Sequence, residues 1–246
     1  MTRLHLLHCP LKLLPEKFEY ALVQRYLDEN EKARYQASNI ANSRLQLVLS
    51  RRLIKQHMHE LTGLPVSAFH FHYTENGKPY LASPDTGKRH MHFSLAHCHT
   101  SVAVAICDSP VGVDVENRQR NGQPWQIIGN IFNATVAERM AQLSLESHQK
   151  AFFFTHWTAM ESMVKMKGSK VALERKHFAL DFALPHNASY VPANDKHFYF
   201  VNVNQYERVA ITCAKAASAA QIQVFDIAKG EFSKRIIAPP TAWQLD

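Results

Sequence analysis

The sequence predicts an α+β fold built from two similar halves, residues 1–109 and 110–246. Two segments carry apolar residues at helical spacing, and three strand-like runs follow each of them. The composition is that of a globular protein, with 46% apolar and 20% charged residues and only 8 Gly and 11 Pro. The length of 246 residues alone would allow either one large domain or two small ones.

Hydrophobic periodicity and helix-stop residues predict the elements of the first half. In chain order they are a strand at 4–8, a polar helix at 16–30, a helix from Ala37 to about His59, and strands at 68–73, 90–97 and 101–107. Gly63 and Pro65 should end the long helix. Asn76-Gly77 with Pro79 predicts a turn between the first two of the three strands.

The second half repeats this order of a long helix followed by three strands. After the break at Asp108-Ser109-Pro110, the elements are a strand at 111–116, a helix from about His148 to Lys167 that Gly168 closes, and strands near 176–182, 197–203 and 207–214. The residues themselves show no convincing repeat, so the similarity lies in the order of elements. The last stretch, about 216–246, carries no motif that predicts a role.

Charge and hydropathy narrow the class of protein. Lys and Arg outnumber Asp and Glu by 28 to 21, which favours an anionic partner: nucleic acid, an acidic protein or a phosphorylated ligand. No apolar run approaches the roughly 18 residues of a membrane span, and the N-terminal segment is interrupted too early for a secretion signal. The four cysteines are scattered, without a CxxC pattern. We therefore expect a cytoplasmic protein with free thiols and no membrane partner.

Alternating valines and acids, Gly112-Val113-Asp114-Val115-Glu116, mark the strand that opens the second half. Side chains alternate between the faces of a strand, so Asp114 and Glu116 share one face, roughly 6–7 Å apart along it. Two carboxylates at that spacing can bind one hard divalent cation. An amphipathic strand with one wet face explains the same residues, and the motif alone does not decide between the two interpretations.

The predicted long helix of the second half carries another motif, FFFTHWTAMESMVKMKG at 152–168. Trp157, Glu161 and Lys165 stand at positions i, i+4 and i+8, so one stripe of the helix carries an aromatic residue, an acid and a base. A surface Glu–Lys pair beside a partly buried tryptophan would give the same pattern.

Taken together, the two motifs resemble the paired signature of the Sfp-type phosphopantetheinyl transferases. In that family a strand (V/I)-G-(V/I)-D-(I/V)-E precedes a helix W-(S/T)-x-K-E-(A/S)-x-x-K, and this sequence has VGVDVE followed by WTAMESMVK. Asn76-Gly77-Lys78-Pro79 resembles the family's G-K-P turn, and His92–His97 resembles its F-N-x-S-H segment. Arg34 and Arg51 resemble its N-terminal basic positions, so the resemblance covers residues 31–168.

Two residues depart from that signature. Met160 stands where the family usually has a lysine before the helix glutamate, and Ala96 where it has a serine before the histidine. The first departure removes a charge near the site, and the second removes a hydroxyl that would touch phosphate. We expect altered affinity or partner choice with the activity retained.

The resemblance implies two halves related by pseudo-twofold symmetry, with the active site at their interface. It also implies the reaction, a Mg²⁺-dependent transfer of the 4′-phosphopantetheine group of coenzyme A to a serine of an acyl or peptidyl carrier protein, releasing 3′,5′-ADP. An acidic carrier domain would suit the excess of positive charge. Two fused halves further imply that a monomer contains a complete site.

Individual residues receive roles from the same resemblance. Asp114, Glu116 and Glu161 would bind Mg²⁺, and Glu161, Lys165 and Asp114 would be catalytic, with Glu161 or a metal-bound water accepting the serine proton. Coenzyme A would be bound mainly by the first half, through Arg34, Arg51, Asn76, Gly77, Lys78 and His97, together with Lys165 of the second half.

Other interpretations stay open on the sequence alone. Fifteen histidines, some close to Cys9 and Cys98, invite a zinc site, although no group of them is followed by a matching second pair. The aromatic runs at 69–73 and 152–154 would stack on bases in a nucleic-acid-binding module. A different Mg²⁺-dependent phosphate-handling enzyme would use the same carboxylates. The departures at 160 and 96 leave open a non-catalytic relative of the transferases.

Overall fold

The computed structural model describes residues 2–81, 91–119, 131–174, 189–193, 195–228 and 230–243, and within them groups of helices and groups of strands follow one another along the chain. The mixed α+β class is therefore confirmed. In chain order the elements are β1 (Arg3–Pro10), α1 (Glu16–Tyr26), α2 (Glu29–Ala37), α3 (Ala41–Thr62), β2 (Phe71–Tyr73), β3 (Pro79–Leu81), β4 (His92–His97), β5 (Ser101–Cys107), β6 (Val111–Asn117), α4 (Ala134–Ala141), α5 (Glu146–Lys167), α6 (Val171–Glu174), β7 (Tyr190–Ala193), β8 (Lys196–Asn202), β9 (Glu207–Cys213), β10 (Ala219–Ala228) and β11 (Glu231–Ile237).

The strands of the described segments form three sheets. A five-stranded sheet has the order β11-β10-β1-β5-β4, a four-stranded sheet has the order β6-β9-β8-β7, and β2 pairs with β3. Within the five-stranded sheet, β10 runs parallel to β1, so residues 219–237 join the sheet that begins at the N-terminus. No role for this stretch was predicted from the sequence, and the division of the chain at residue 110 remains a prediction.

Strand β5 is buried on both faces, which explains its uninterrupted apolar run. Val102, Val104 and Ile106 pack in the cluster that includes Val48, Leu49 and Leu53 of α3. The alternate residues of β5 pack instead with Val111, Val113 and Val115 of β6 and with apolar residues of β9, forming the core between the two larger sheets. A third cluster includes α5 residues together with Phe198 and Phe200 of β8. The site described below lies where α5, β6 and β4 approach each other.

Several predicted elements are confirmed, among them strands β1, β5 and β6 and the two long helices. Gly63 and Gly168 end those helices in the left-handed conformation, with φ of 74° and 69°. The single helix predicted at 16–30 is wrong, because Asp28 starts a second helix by accepting the backbone N–H of Glu31 in a capping box.

Other expectations differ in detail from the structure. The strand predicted at 68–73 is a 3₁₀ turn at Val66–Ala68 followed by the three-residue strand β2. The strand predicted near 176–182 lies outside the described residues. The short elements β3, α4 and β7 and the hairpin β10–β11 were not predicted. None of the described helices is both long enough and apolar enough to span a bilayer.

Candidate active site

Helix α5 lies directly on strand β6 because position 112 has no side chain. A Cβ atom on Gly112 would lie 1.8 Å from the carbonyl oxygen of Ser162 and 2.4 Å from the backbone nitrogen of Met166. The Ser162 hydroxyl also lies 2.6 Å from the hydroxyl of Thr212 on β9. This close approach brings Asp114, two residues further along β6, against the stripe of α5 that carries Glu161 and Lys165.

The ammonium group of Lys165 joins two of the predicted carboxylates. Its Nζ lies 2.7 Å from Oδ1 of Asp114 and 3.7 Å from Oε2 of Glu161. The Asp114 side chain is 7% exposed and that of Lys165 is 31% exposed, so the pair lies at the edge of the core and remains open to solvent on the lysine side. Within the described part of the chain, Oδ2 of Asp114 is buried without a hydrogen-bond partner.

The pKa values of Glu161 and Lys165 each depend on the charge of the other residue. Burial raises the pKa of Glu161, and it outweighs the opposing effect of the Lys165 charge. Burial acts to lower the pKa of Lys165, but the charges of Asp114 and Glu161 outweigh it and the net shift is upward. The lysine therefore stays protonated, while Glu161 binds a proton more readily than an ordinary glutamate does.

Glu116 lies on the same face of β6 as Asp114 but contacts a different part of α5. Its Oε1 accepts a hydrogen bond of 2.9 Å from the indole Nε1 of Trp157. Trp157 in turn stacks parallel to Phe153, with ring centroids 6.1 Å apart. Both ends of the stripe predicted on the helix therefore contact acids of β6. Trp157 orients Glu116, and Lys165 pairs with Asp114.

The three predicted metal ligands do not converge on one point in the structure. In the described ranges, no three His, Cys, Asp or Glu side chains are grouped closely enough to hold a metal ion, and this covers both the three carboxylates and the histidine groups. The donors still suit Mg²⁺ chemically, because carboxylate oxygens are its preferred protein ligands. The partnerless buried Oδ2 of Asp114 is also an atom that a cation would satisfy.

Two adjoining cavities open beside the Lys165–Asp114 pair, and together they border all seven residues predicted to bind coenzyme A. One, of about 200 Å³, is lined by Asn76, Gly77 and Lys78 of the β2–β3 turn together with Lys165. The other, of about 460 Å³, is lined by residues that include Arg34, Arg51, Tyr73 and His97. Pro79 and Leu95 line both cavities, so the two are neighbours. Another cavity, of about 520 Å³, lies between α1 and α2 and contains none of the predicted residues.

Arg51 is fixed on several sides although it borders the second cavity. Its Nε donates to the carboxylate of Glu31, its guanidinium lies 4.0 Å from the ring centroid of Phe71, and its Nη2 donates to the Tyr73 hydroxyl at 3.0 Å. Exposed Arg34 donates to the same hydroxyl at 3.5 Å. Glu31 and Tyr73 were not predicted as partners of Arg51. Only the capping-box spacing of Asp28 and Glu31 was visible in the sequence.

Lys78 joins the β2–β3 turn to the second half. Its Nζ donates to the carbonyl oxygens of Val111, at 3.2 Å, and of Met166, at 2.8 Å. Met166 lies in the last turn of α5, where carbonyl groups lack helical partners and favour a cation. The pKa of His97 is lowered, mainly by partial desolvation of its ring and also by the nearby charge of Lys165. Both effects favour the neutral imidazole.

Both departures from the family signature lie in the core. Met160 is fully buried in the apolar cluster beneath α5, and Ala96 is 2% exposed in the core between the larger sheets. Neither residue lines the two cavities. The expectation that these departures remove a charge and a hydroxyl from the site is therefore wrong.

Comparison with known proteins matches most of the chain to one family. A family model described as 4′-phosphopantetheinyl transferase, N-terminal, matches residues 13–109, and one described as the 4′-phosphopantetheinyl transferase superfamily matches residues 110–214. The 4′-phosphopantetheinyl transferase psf-1 of Bacillus pumilus is 29% identical over 125 residues, 51% of each chain. The transferase gsp of Aneurinibacillus migulanus is 26% identical over 134 residues, 54% of this chain and 53% of its own.

A mammalian relative shows similarity over a longer region. The L-aminoadipate-semialdehyde dehydrogenase-phosphopantetheinyl transferase of Mus musculus is 23% identical over 176 residues, 68% of this chain and 57% of that protein. The chain thus spans about half the length of the curated relatives it matches. The two family models follow one another without a gap over residues 13–214, and both signature motifs fall inside them. The chain therefore belongs to the 4′-phosphopantetheinyl transferase superfamily, as a member of the Sfp type.

Proposed function

We propose that this protein transfers the 4′-phosphopantetheine group of coenzyme A to a serine of an acyl or peptidyl carrier protein and releases 3′,5′-ADP. The observation that carries the proposal is the pair of adjoining cavities, which border all seven predicted coenzyme A residues and open beside the cluster of Asp114, Lys165 and Glu161. The relatives psf-1 and gsp carry the name of this activity and support it.

Coenzyme A binding is assigned to the two cavities. Arg34 and Arg51 would bind the 3′-phosphate, because a guanidinium fork can bond two phosphate oxygens at once. The backbone of Asn76 and Gly77 would approach the adenine, since the φ of 81° at Gly77 permits a tight turn without a side chain in the way. His97 would hydrogen-bond the pyrophosphate, and the first half, residues 1–109, would thus be the coenzyme A half.

Asp114, Glu116 and Glu161 would hold the magnesium ion, and because the three carboxylates do not converge in the structure, their side chains would have to turn from Lys165 and Trp157 toward the ion. When bound, Mg²⁺ would neutralise charge on the attacked phosphoryl group and on the leaving group. The second half, residues 110–246, would in this way contribute the metal ligands and the catalytic residues.

In the transfer step the carrier serine oxygen would attack the β-phosphorus while the bond to the 3′,5′-ADP oxygen breaks. Lys165 would stabilise the negative charge on the pyrophosphate as a protonated ammonium group. Glu161 would accept the serine proton, and the upward shift of its pKa by burial suits it to that role. Asp114 would keep the Lys165 ammonium in position through their 2.7 Å contact.

The partner would be a small acidic carrier domain, attracted by the excess of positive charge on this protein. We propose a monomeric cytoplasmic enzyme that acts without nucleic acid or membrane. The relatives do not specify the carrier, because the name of the murine protein refers to L-aminoadipate-semialdehyde dehydrogenase and the bacterial names specify none.

The test is to incubate the purified protein with coenzyme A, Mg²⁺ and carriers from several pathways, and to weigh each carrier for the added arm. We expect one or more carriers to gain the mass of the arm, and Asp114→Ala to abolish the gain while the protein stays folded. The matched control is Asp226→Ala, which removes an exposed aspartate that pairs with Lys12. An Asp114→Ala protein that labels its carrier at the wild-type rate would refute the metal assignment. Absence of both coenzyme A binding and labelling would refute the function.

A further inference from the structure

The hydroxyl of Tyr73 lies between the two arginines of the larger cavity. Tyr73 is on β2, its side chain is 48% exposed, and its oxygen accepts from Arg51 Nη2 at 3.0 Å and from Arg34 Nη1 at 3.5 Å. A phenol carries one proton besides its acceptor lone pairs. Since both guanidinium groups point their protons at the oxygen, the hydroxyl proton must point away from them, where it can serve a third group.

The surroundings of this hydroxyl favour an anion as that third group. Lys55 lies 3.8 Å from Glu31, the same carboxylate that accepts from Arg51, and cations outnumber carboxylates in this cluster. Arg51 is held by Glu31 and by the face of Phe71, so its orientation is set before any ligand arrives. Preorganised donors of this kind bind an anion with less loss of side-chain freedom.

We infer that Tyr73 is a third donor of the 3′-phosphate subsite and that its hydroxyl sets the preference for coenzyme A over dephospho-coenzyme A. The inference rests on the proposed function and deepens it. A phosphomonoester presents three oxygens, which matches the two guanidinium groups and one hydroxyl that converge here. Tyr73 is absent from the pocket that contains Lys165, so its effect is confined to the 3′-phosphate end of the ligand.

The experiment compares coenzyme A with dephospho-coenzyme A, which differ only in the 3′-phosphate. Dissociation constants are measured by calorimetry with Mg²⁺, and kcat and KM by carrier labelling, for the wild type, Tyr73→Phe and the control Tyr20→Phe. Tyr20 is an exposed tyrosine of α1 outside both cavities. Tyr73→Phe removes a hydrogen bond to a charged group, and we expect the loss of its free energy to raise the dissociation constant of coenzyme A about tenfold.

The supporting result is specific to one ligand. Tyr73→Phe should leave dephospho-coenzyme A binding and kcat within about twofold of the wild type, and Tyr20→Phe should change neither ligand. Equal weakening of both ligands, or no weakening of coenzyme A, would overturn the role of Tyr73 while leaving the proposed function intact. A wild-type protein that binds neither ligand would instead overturn the proposed function, and this inference with it.

Discussion

Gly112 and Ser162 are in backbone contact, and no other residue type fits at position 112. A Cβ there would lie 1.8 Å from the carbonyl oxygen of Ser162, far inside any real contact distance. The contact holds α5 against β6 and so sets the positions of the Asp114 and Glu161 side chains relative to one another. The glycine of the VGVDVE motif is thus a packing requirement of the site.

Gly112→Ala should destabilise the fold by more than about 3 kcal/mol, because the added methyl group meets helix backbone that cannot rotate away. Urea unfolding measures the change. Gly63→Ala is the matched control, since nothing lies within 4 Å of its Cβ and only the left-handed φ of 74° is strained, at a cost of about 1 kcal/mol. Equal stability losses in the two variants would contradict the packing argument.

Trp157→Phe should weaken the proposed metal site without unfolding the protein. The phenyl ring can keep the stacking with Phe153, but the 2.9 Å hydrogen bond that orients Glu116 is lost. Removing a partner that orients a metal ligand typically costs tenfold or more in metal affinity, so we expect the Mg²⁺ concentration for half-maximal labelling to rise about tenfold. The melting temperature and the KM for coenzyme A at saturating Mg²⁺ serve as controls. An unchanged Mg²⁺ requirement would argue against Glu116 as a ligand.

Glu207 should make stability depend on acid pH. Oε2 of this buried residue of β9 lies 2.8 Å from Nε2 of His8 on β1, and its carboxylate also accepts a hydrogen bond from the Thr100 hydroxyl. Burial by itself would raise the pKa of Glu207. The hydrogen bonds outweigh burial and lower the pKa to about 2. The folded pKa lies below the unfolded value of about 4.3. Its stabilising effect is therefore present above that unfolded value and is lost as pH falls toward 2.

The measurement for Glu207 is urea unfolding of the wild type and Glu207→Gln at neutral pH and at several acid pH values. The variant should be less stable than the wild type at neutral pH, and the difference should shrink as the pH falls. Glu75→Gln, at an exposed glutamate, controls for the loss of a carboxylate in general. A gap that stays constant down to acid pH would show that the pKa of Glu207 is the same in the folded and unfolded states, and would contradict the prediction.

Lys78→Met should lower the free energy of unfolding by about 1–3 kcal/mol, because the carbonyls of Val111 and Met166 lose a charged donor. Chemical unfolding measures the change, with the exposed Lys215→Met as control. If Lys78→Met instead keeps its stability and raises only the dissociation constant of coenzyme A, the ammonium serves the ligand and does not join the turn to the second half.

Local patterns in the sequence were sufficient to predict the strand and the long helices that position the site. The alternation in VGVDVE predicts β6 correctly, and Gly63 and Gly168 end the long helices as expected. The pairing of β10 with β1 could not be predicted in the same way, because the two strands are more than 200 residues apart in the chain. Local periodicity can indicate that a segment is a strand, but it does not say which distant strand is its partner.

The burial of Met160 and Ala96 explains why the two departures from the family signature do not alter the site as expected. Met160 is adjacent to Glu161 in the sequence, yet neighbouring helix positions point about 100° apart, so the Met160 side chain enters the core while the Glu161 side chain contacts Lys165. Ala96 is next to His97 on β4, and alternation along the strand sends the two to opposite faces.

The sequence by itself determined the α+β class, the family signature and the residue types that bear charge at the site, since these depend on local periodicity and on side-chain chemistry. Only the tertiary structure decided which of those charges meet. It pairs Lys165 with Asp114 and Glu161, assigns Glu116 to Trp157, and surrounds Arg51 with Glu31 and Tyr73. The physical reason is that electrostatic pairing depends on distances of a few ångströms between separate elements, and packing such as that of Gly112 against α5 sets those distances.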